Sequence, residues 1–388
     1  MTRLLEYASQ TIRGLITRRI RVKSDAIPYV FSDVPRRKVL NAILTESSVY
    51  FKPQRPWGWP THLMVEPTNH CNLRCALCPV SKGFERPQGM MDFSMFKRLL
   101  DEVGKFIFTL QFWDWGEPFV HPQAYDMIAY ARSKGIKVIS STNGHMFCRK
   151  EHAERLVRSG LDTVIFAIDG ATQQTYEIYR QGGTLETALE GIRQVLAAKH
   201  ALSSATPTVN FRFIPMAQNE HEIPLIRQLA AELGVDVLSF KTLNNCQQDP
   251  YQGKTEDGSR FFPQEGHYRR FRTDANGQRI RRRRNPCKQL WNNPSIHWNG
   301  NVTICSLDPQ DHCILGNINQ HSFREIWHGA IYRQYRREFR EDWNKMLMCG
   351  ECSYAYEGGS LFCETIAEAM FYPSFGMIPQ QAREGTGA

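Results

Sequence analysis

The chain contains no apolar run approaching the roughly 18 residues that a membrane-spanning helix needs. Its longest apolar runs, such as Val164–Ile168, have strand length. The amino terminus lacks the short apolar core and small-residue cleavage site of a secretory signal. Both absences point to the cytoplasm. No internal repeat is visible. A hydrophobic share of 41% against 22% charged residues excludes wholesale disorder. A disulfide framework is also a poor fit, because the eleven cysteines are odd in number and unevenly spaced. Seven of them fall in two groups, Cys71, Cys75, Cys78 and Cys287, Cys305, Cys349, Cys352, which read first as metal sites. The formal net charge of +9 favours an anionic partner, whether phosphorylated substrate, lipid surface or nucleic acid.

Residues 1–60 read as a basic, helical N-terminal extension. Leu4, Leu5, Ala8, Ile12, Leu15, Ile16 and Ile20 recur at helical spacing, with Arg13, Arg18, Arg19 and Arg21 beside them. Such a helix either packs on the fold or lies on an anionic membrane surface. Asp25–Pro35 reads as a connector, and Arg36–Thr45 as a second short helix. From residue 61 to 241 strands alternate with helices. Strands are expected at His62–Glu66, Phe108–Trp113, Lys137–Ser141, Thr163–Ile168, Thr208–Pro215 and Val235–Lys241. Helices are expected at Phe93–Val103, Pro122–Ser133, Glu151–Ser159, Leu185–Lys199 and Glu220–Leu233. Successive βα units imply a parallel sheet with helices outside it. Six such strands are too few for a closed eight-stranded barrel, so the fold class is α/β, a partial TIM-like barrel. Its active site would lie at the carboxyl ends of the strands. Residues 242–286 read as a basic linker containing five arginines in Arg279–Arg284. Residues 287–365 read as a small cysteine-rich α+β domain, with a hairpin at Ser295–Cys305 and one helix near Phe323–Arg340. Residues 366–388 read as a tail, loose from Tyr372 on.

Cys71-Asn72-Leu73-Arg74-Cys75-Ala76-Leu77-Cys78 directly follows the first barrel strand. Three thiolates on one loop can hold three irons of a [4Fe–4S] cube and leave the fourth open. With His70 as a fourth ligand the same loop could hold zinc.

From about residue 60 to 363 the sequence resembles the radical S-adenosylmethionine (SAM) enzymes. The resemblance implies that the open iron chelates SAM, and that reductive cleavage yields a 5′-deoxyadenosyl radical that abstracts a hydrogen atom. Gly116-Glu117-Pro118 resembles the segment that binds the SAM amino group. Ser141-Thr142-Asn143-Gly144 resembles the ribose-facing segment, and Asp169 ends the fourth strand. Arg180 resembles the arginine that grips the SAM carboxylate, and Asn219-Glu220 opens the fifth helix as in relatives. Two departures are Leu77, where many members carry an aromatic residue, and Ala167, where many carry serine. Leu77 can still pack against the adenine.

The second group, Cys287, the GxxxxC unit Gly300–Cys305 and Cys349-Gly350-Glu351-Cys352, is similar to the C-terminal SPASM/Twitch domain. The resemblance implies one auxiliary [4Fe–4S] cluster on Cys287, Cys305, Cys349 and Cys352. By ligand chemistry alone, four cysteines in two arms serve zinc equally well. Cys246, just past the sixth strand at the active-site end of the barrel, is expected first to pack in its loop; a thiol there could also hand a hydrogen atom to a substrate radical, as cysteine does in sugar-epimerising relatives.

The resemblance implies oxidation or epimerisation of a small, carbohydrate-like or lipid-linked molecule, with flavodoxin or ferredoxin as electron donor. No N-terminal peptide-binding winged helix is apparent, which places a peptide-modifying maturase second. A zinc-bearing nucleic-acid-binding module, argued from the net charge and the arginine run, comes last.

Overall fold

The computed structural model describes residues 14, 16–83, 85–243, 258–359 and 365–377. Within the described residues two hairpin strands come first, β1 (Ile20–Ser24) and β2 (Ile27–Phe31). Six parallel strands follow, β3 (His62–Val65), β4 (Thr109–Phe112), β5 (Lys137–Thr142), β6 (Thr163–Ala167), β7 (Thr208–Phe213) and β8 (Val237–Lys241). They are consecutive neighbours in one sheet, the partial barrel that the alternating pattern predicts. Helices cover its outer face. Phe93–Val103 shows the reason in its sequence. Met95, Phe96, Leu99, Leu100 and Val103 form one buried stripe, and Asp92 caps the helix by accepting from the Ser94 and Met95 amides.

The sheet does not stop at six strands. β9 (Ser295–Ile296) lies parallel to β3 and pairs Ser295 with Met64. β10 (Asn301–Thr303) and β11 (Ile314–Asn317) continue that edge antiparallel. The cysteine-rich segment thus shares one ten-stranded sheet with the barrel. At the far edge β12 (Ile366–Phe371) pairs antiparallel with β8. Residues 366–371, read as the start of the tail, are therefore an edge strand. The expected single helix near Phe323–Arg340 is two, Phe323–Trp327 and Ala330–Asp342, broken at Gly329.

The N-terminal extension differs most from expectation. Ile20 and Arg21 belong to β1, so one helix does not run through residue 21. Arg18 takes a left-handed backbone, φ 53°, and its guanidinium bonds to the Asp33 and Val34 carbonyls, turning the chain into the hairpin. Asp25 and Ala26, both at positive φ, form the tight turn that joins β1 to β2. Asp25–Pro35 is thus turn and strand, not a mere connector. The first thirteen residues, and with them most of the stripe read as a helix that packs on the fold or lies on a membrane, lie outside the described residues. Among those described, no helix is long and apolar enough to cross a membrane.

The hairpin closes the barrel floor. Ile27, Tyr29 and Phe31 pack with the barrel-strand residues Ile139, Ile165 and Val237. The Tyr29 hydroxyl meets Thr163 Oγ1 at 2.7 Å, where β6 begins. The next helix, Arg36–Phe51, runs a turn and a half longer than read from the sequence. The extended segment after it straps the C-terminal region: Trp291 Nε1 donates to the Pro53 carbonyl and Trp327 Nε1 to that of Gly58.

The arginine run is likewise a strap. Arg281 Nη2 donates to the Gly350 carbonyl at 2.6 Å, and Arg282 Nε to that of Tyr356 at 2.8 Å. Arg279 stacks over Phe271. Three of the five arginines are thus engaged by the protein itself, which removes the main support for a nucleic-acid surface.

Candidate active site

The loop carrying Cys71, Cys75 and Cys78 leaves β3 and is pinned by main-chain bonds from Arg74 to Gln181 and from Ala76 to Tyr179, each 2.9 Å. All three thiols line one cavity of about 190 Å³ at the carboxyl ends of the strands. Burial, reinforced by the Glu117 charge, pushes the Cys71 thiol up to about 12. Bound iron reverses that preference, since a coordinating thiol is deprotonated outright.

Gly116 adopts φ 96°, and a Cβ there would sit 2.5 Å from the Thr68 carbonyl oxygen. Only glycine brings this turn against the cysteine loop, where the Glu117 amide donates to the His70 carbonyl at 2.8 Å. The buried Glu117 carboxylate accepts from Thr142 Oγ1 at 2.9 Å, the Asn143 amide at 2.8 Å and the Phe119 amide at 3.3 Å. Burial outweighs these donors and holds its carboxyl at about 7. Pro118 opens the short helical turn behind it. Ser141 lines the cavity from β5. Asn143 Nδ2 donates to Asn72 at 2.7 Å and lies 4.0 Å from Cys71 Sγ.

Arg180, read as the SAM carboxylate clamp, lines the same cavity. Its Nε and Nη2 hold Asp169 Oδ2, both at 2.6 Å, and its Nη1 reaches Cys75 Sγ at 3.6 Å. Asp169 uses its other oxygen to accept the Ile214 amide, and Asn219 Nδ2 donates to its carbonyl. Leu77 is buried in a small apolar cluster with Met216, Leu243 and Phe261. Cys246 lies outside the described residues.

Sequence reasoning missed several cavity-lining residues. Trp113, Asp114 and Trp115 stand directly before Gly116, and this run of bulky and charged residues at a strand end was a readable signal. Arg212 was hidden inside a strand. Asp114 Oδ2 lies 3.5 Å from His297 Nε2, and His297 Nδ1 contacts Asp311. Burial alone would lower the His297 pKa, but Glu66, Asp114 and Asp311 override it and hold it at about 10. Beside this group Arg86 grips Glu66 with two bonds of 2.8 and 2.6 Å.

Cys287, Cys305, Cys349 and Cys352 gather around β9 and β10, near enough that each of Cys305 and Cys349 feels the charge of others in the set. Burial pushes both of those thiols well up. Cys313 is buried next to them. Arg336, buried between the Trp327 and Tyr332 rings, donates to the Leu290 and Trp327 carbonyls and fixes the helix behind the set. Among the described residues no three His, Cys, Asp or Glu side chains close on one point as ligands of a single ion do. The donor chemistry of both sets fits iron–sulfur cubes, which take soft thiolates at separate corners.

Residues 65–227 match the radical SAM superfamily, and residues 287–353 match an iron–sulfur cluster-binding domain known as SPASM. A tungsten-containing aldehyde ferredoxin oxidoreductase cofactor-modifying protein of Pyrococcus furiosus is 27% identical over 201 residues, 51% of this chain and 56% of its own. The mycofactocin maturase MftC of Mycobacterium tuberculosis is 25% identical over 309 residues, 76% of each chain. The chain spans about half the length of the first such relatives. Among solved structures, Streptococcus suis SuiB bound to S-adenosylmethionine shares the fold, with TM-score 0.55 and 13% identity over 79% of this chain and 74% of that one.

Proposed function

Because the chain belongs to the radical SAM superfamily and carries a SPASM domain, with one SAM-binding [4Fe–4S] cluster and an auxiliary cluster, we propose that it abstracts hydrogen from a substrate held in the barrel cavity. The observation that carries this is the convergence of Cys71, Cys75 and Cys78 on a cavity that Glu117, Ser141 and Arg180 also line. When bound, the cluster and SAM supply an electron and a 5′-deoxyadenosyl radical.

The chain's own residues do the rest. Cys71, Cys75 and Cys78 hold three corners and leave the fourth for SAM. Glu117, held by Thr142 and Asn143, offers a carboxylate to the SAM ammonium. Arg180, oriented by Asp169, sets a positive charge against Cys75. Ser141 and Asn143 would face the ribose of bound SAM, and Leu77 would support its adenine. Cys287, Cys305, Cys349 and Cys352 use all four protein ligands, so their site carries electrons. Flavodoxin or ferredoxin supplies the reducing electron. The substrate is a small carbohydrate-like or lipid-linked molecule that is oxidised or epimerised, with Cys246 as hydrogen donor in the second case.

A peptide substrate is the second reading, and the 76% mutual coverage with a maturase favours it. Anaerobic assays of 5′-deoxyadenosine, stimulated by small-molecule or by peptide fractions of a cell extract, separate the two. Failure to form 5′-deoxyadenosine under strong reductant would remove both.

A further inference from the structure

The barrel interior holds a second polar feature, below the cysteine loop, that the SAM chemistry does not use. Arg212 lies in β7 opposite Ser239 of β8, and its side chain is almost fully buried. Two of its three guanidinium nitrogens are fixed. Nε donates to Ser239 Oγ at 3.2 Å, and Nη1 donates to Asp25 Oδ2 at 2.9 Å. Asp25 is the turn residue of the floor hairpin, so the N-terminal extension holds the arginine from beneath. Nη2 is buried and has no hydrogen-bond partner. Arg212 nevertheless lines the cavity. Lys241, two residues beyond Ser239 on the same face of β8, lines it too.

Arg180, Glu117 and Asp114 on the cavity wall are held by other groups of the protein. Arg180 is held by Asp169, and both Glu117 oxygens accept hydrogen bonds. Asp114 faces His297. Asp25 has one oxygen without a partner, but it does not line the cavity. A planar guanidinium with one nitrogen lacking a hydrogen-bond partner, on a cavity wall that also carries an ammonium, is complementary to an oxyanion.

Resting on the function proposed above, we infer that Arg212 and Lys241 form an anion subsite in the cavity that receives a carboxylate or phosphate group of the substrate. Asp25 is a positioning residue. It fixes the guanidinium plane without reaching the ligand, and it offsets the charge that an empty site would otherwise bury. The subsite orients the substrate from its anionic end and presents a carbon further along to the SAM side of the cavity.

Isothermal titration of the anaerobically reconstituted, SAM-loaded protein tests this, with sodium phosphate and sodium acetate as probes against chloride at matched ionic strength. One-site binding of either probe is expected, weakened about ten- to a hundredfold by Lys241→Met, the loss of one charge-assisted contact. The paired change Arg212→Gln with Asp25→Asn should weaken it at least as much, without stranding a buried carboxylate. Tighter phosphate binding marks a phosphorylated substrate, and tighter acetate binding a carboxylate one; both support the subsite. No binding of either probe to the parent protein overturns it, as does binding that both variants leave unchanged. SAM affinity measured on the same samples keeps the two readings apart. SAM binding without anion binding removes the subsite alone, and failure to bind SAM removes the proposed activity.

Discussion

The two cysteine sites stand beside one continuous sheet but are built in opposite ways. The first takes three thiols from a single eight-residue loop beside an open cavity, and Gly116 and Glu117 close in from the next strand. The second takes four thiols from three separate stretches of chain. A loop with three thiols leaves a coordination position free, and a set of four fills every position. The open site is suited to chemistry on a bound ligand, and the filled one to moving electrons.

Replacing Cys71, Cys75 or Cys78 by Ala breaks the comparison most directly. Formation of 5′-deoxyadenosine under strong reductant should fall to background in each variant, and full turnover in any one would contradict the assignment. Next in size is the fourfold Ala variant of Cys287, Cys305, Cys349 and Cys352. Iron per chain should drop from about eight to about four, while some uncoupled SAM cleavage survives. Unchanged iron, or one zinc in the parent protein, would mean that the second site is not a cluster.

The third prediction concerns His297, which joins the end of β9 to Asp114 of the barrel wall. Its pKa is raised from the ordinary histidine value of about 6.5 to about 10, so its ionic contribution is complete below pH 6.5 and is lost as pH rises through about 10. His297→Gln should cost about 3 kcal/mol near neutrality. The gap in melting temperature between parent and variant should narrow as pH rises toward 10. A gap independent of pH would show that the charge does not matter. The smallest effect is expected from Arg180→Gln. Removing the positive charge 3.6 Å from Cys75 Sγ should make the first cluster harder to reduce and leave the auxiliary one unchanged. Redox titration followed by electron paramagnetic resonance resolves the two clusters, and equal potentials in parent and variant would refute the role.

The barrel was legible because each buried strand is a short apolar run between capped amphipathic helices. Phe93–Val103 was read to the residue. The cysteine loop, Gly116-Glu117-Pro118 and Asn143 were legible because motif spacing survives where helix boundaries blur. The floor hairpin was not. The β1 and β2 residues alternate as strands do, but Ile16 and Ile20 upstream mimic helical spacing, and the turn is made by Asp25 and Ala26 with no glycine to announce it. β12 was missed because Ala367-Glu368-Ala369-Met370 are helix formers that a tertiary edge recruits as a strand. Arg212 was invisible for a related reason: a strand residue reveals its role only when its neighbours across the sheet are known.

The shared sheet also sets the order in which the molecule can be assembled as it is synthesised. Thr61, just before β3, hydrogen-bonds Asn292, which lies 231 residues further along. The first barrel strand therefore leaves the ribosome long before its edge neighbour β9 exists, and contacts of such range are slow to form. A nascent chain that stops near residue 286 carries the whole first cysteine loop but presents an unpaired, aggregation-prone edge at β3. The C-terminal domain is in this sense a late clasp on the barrel, and cutting it away would release the first strand as well as the second cluster.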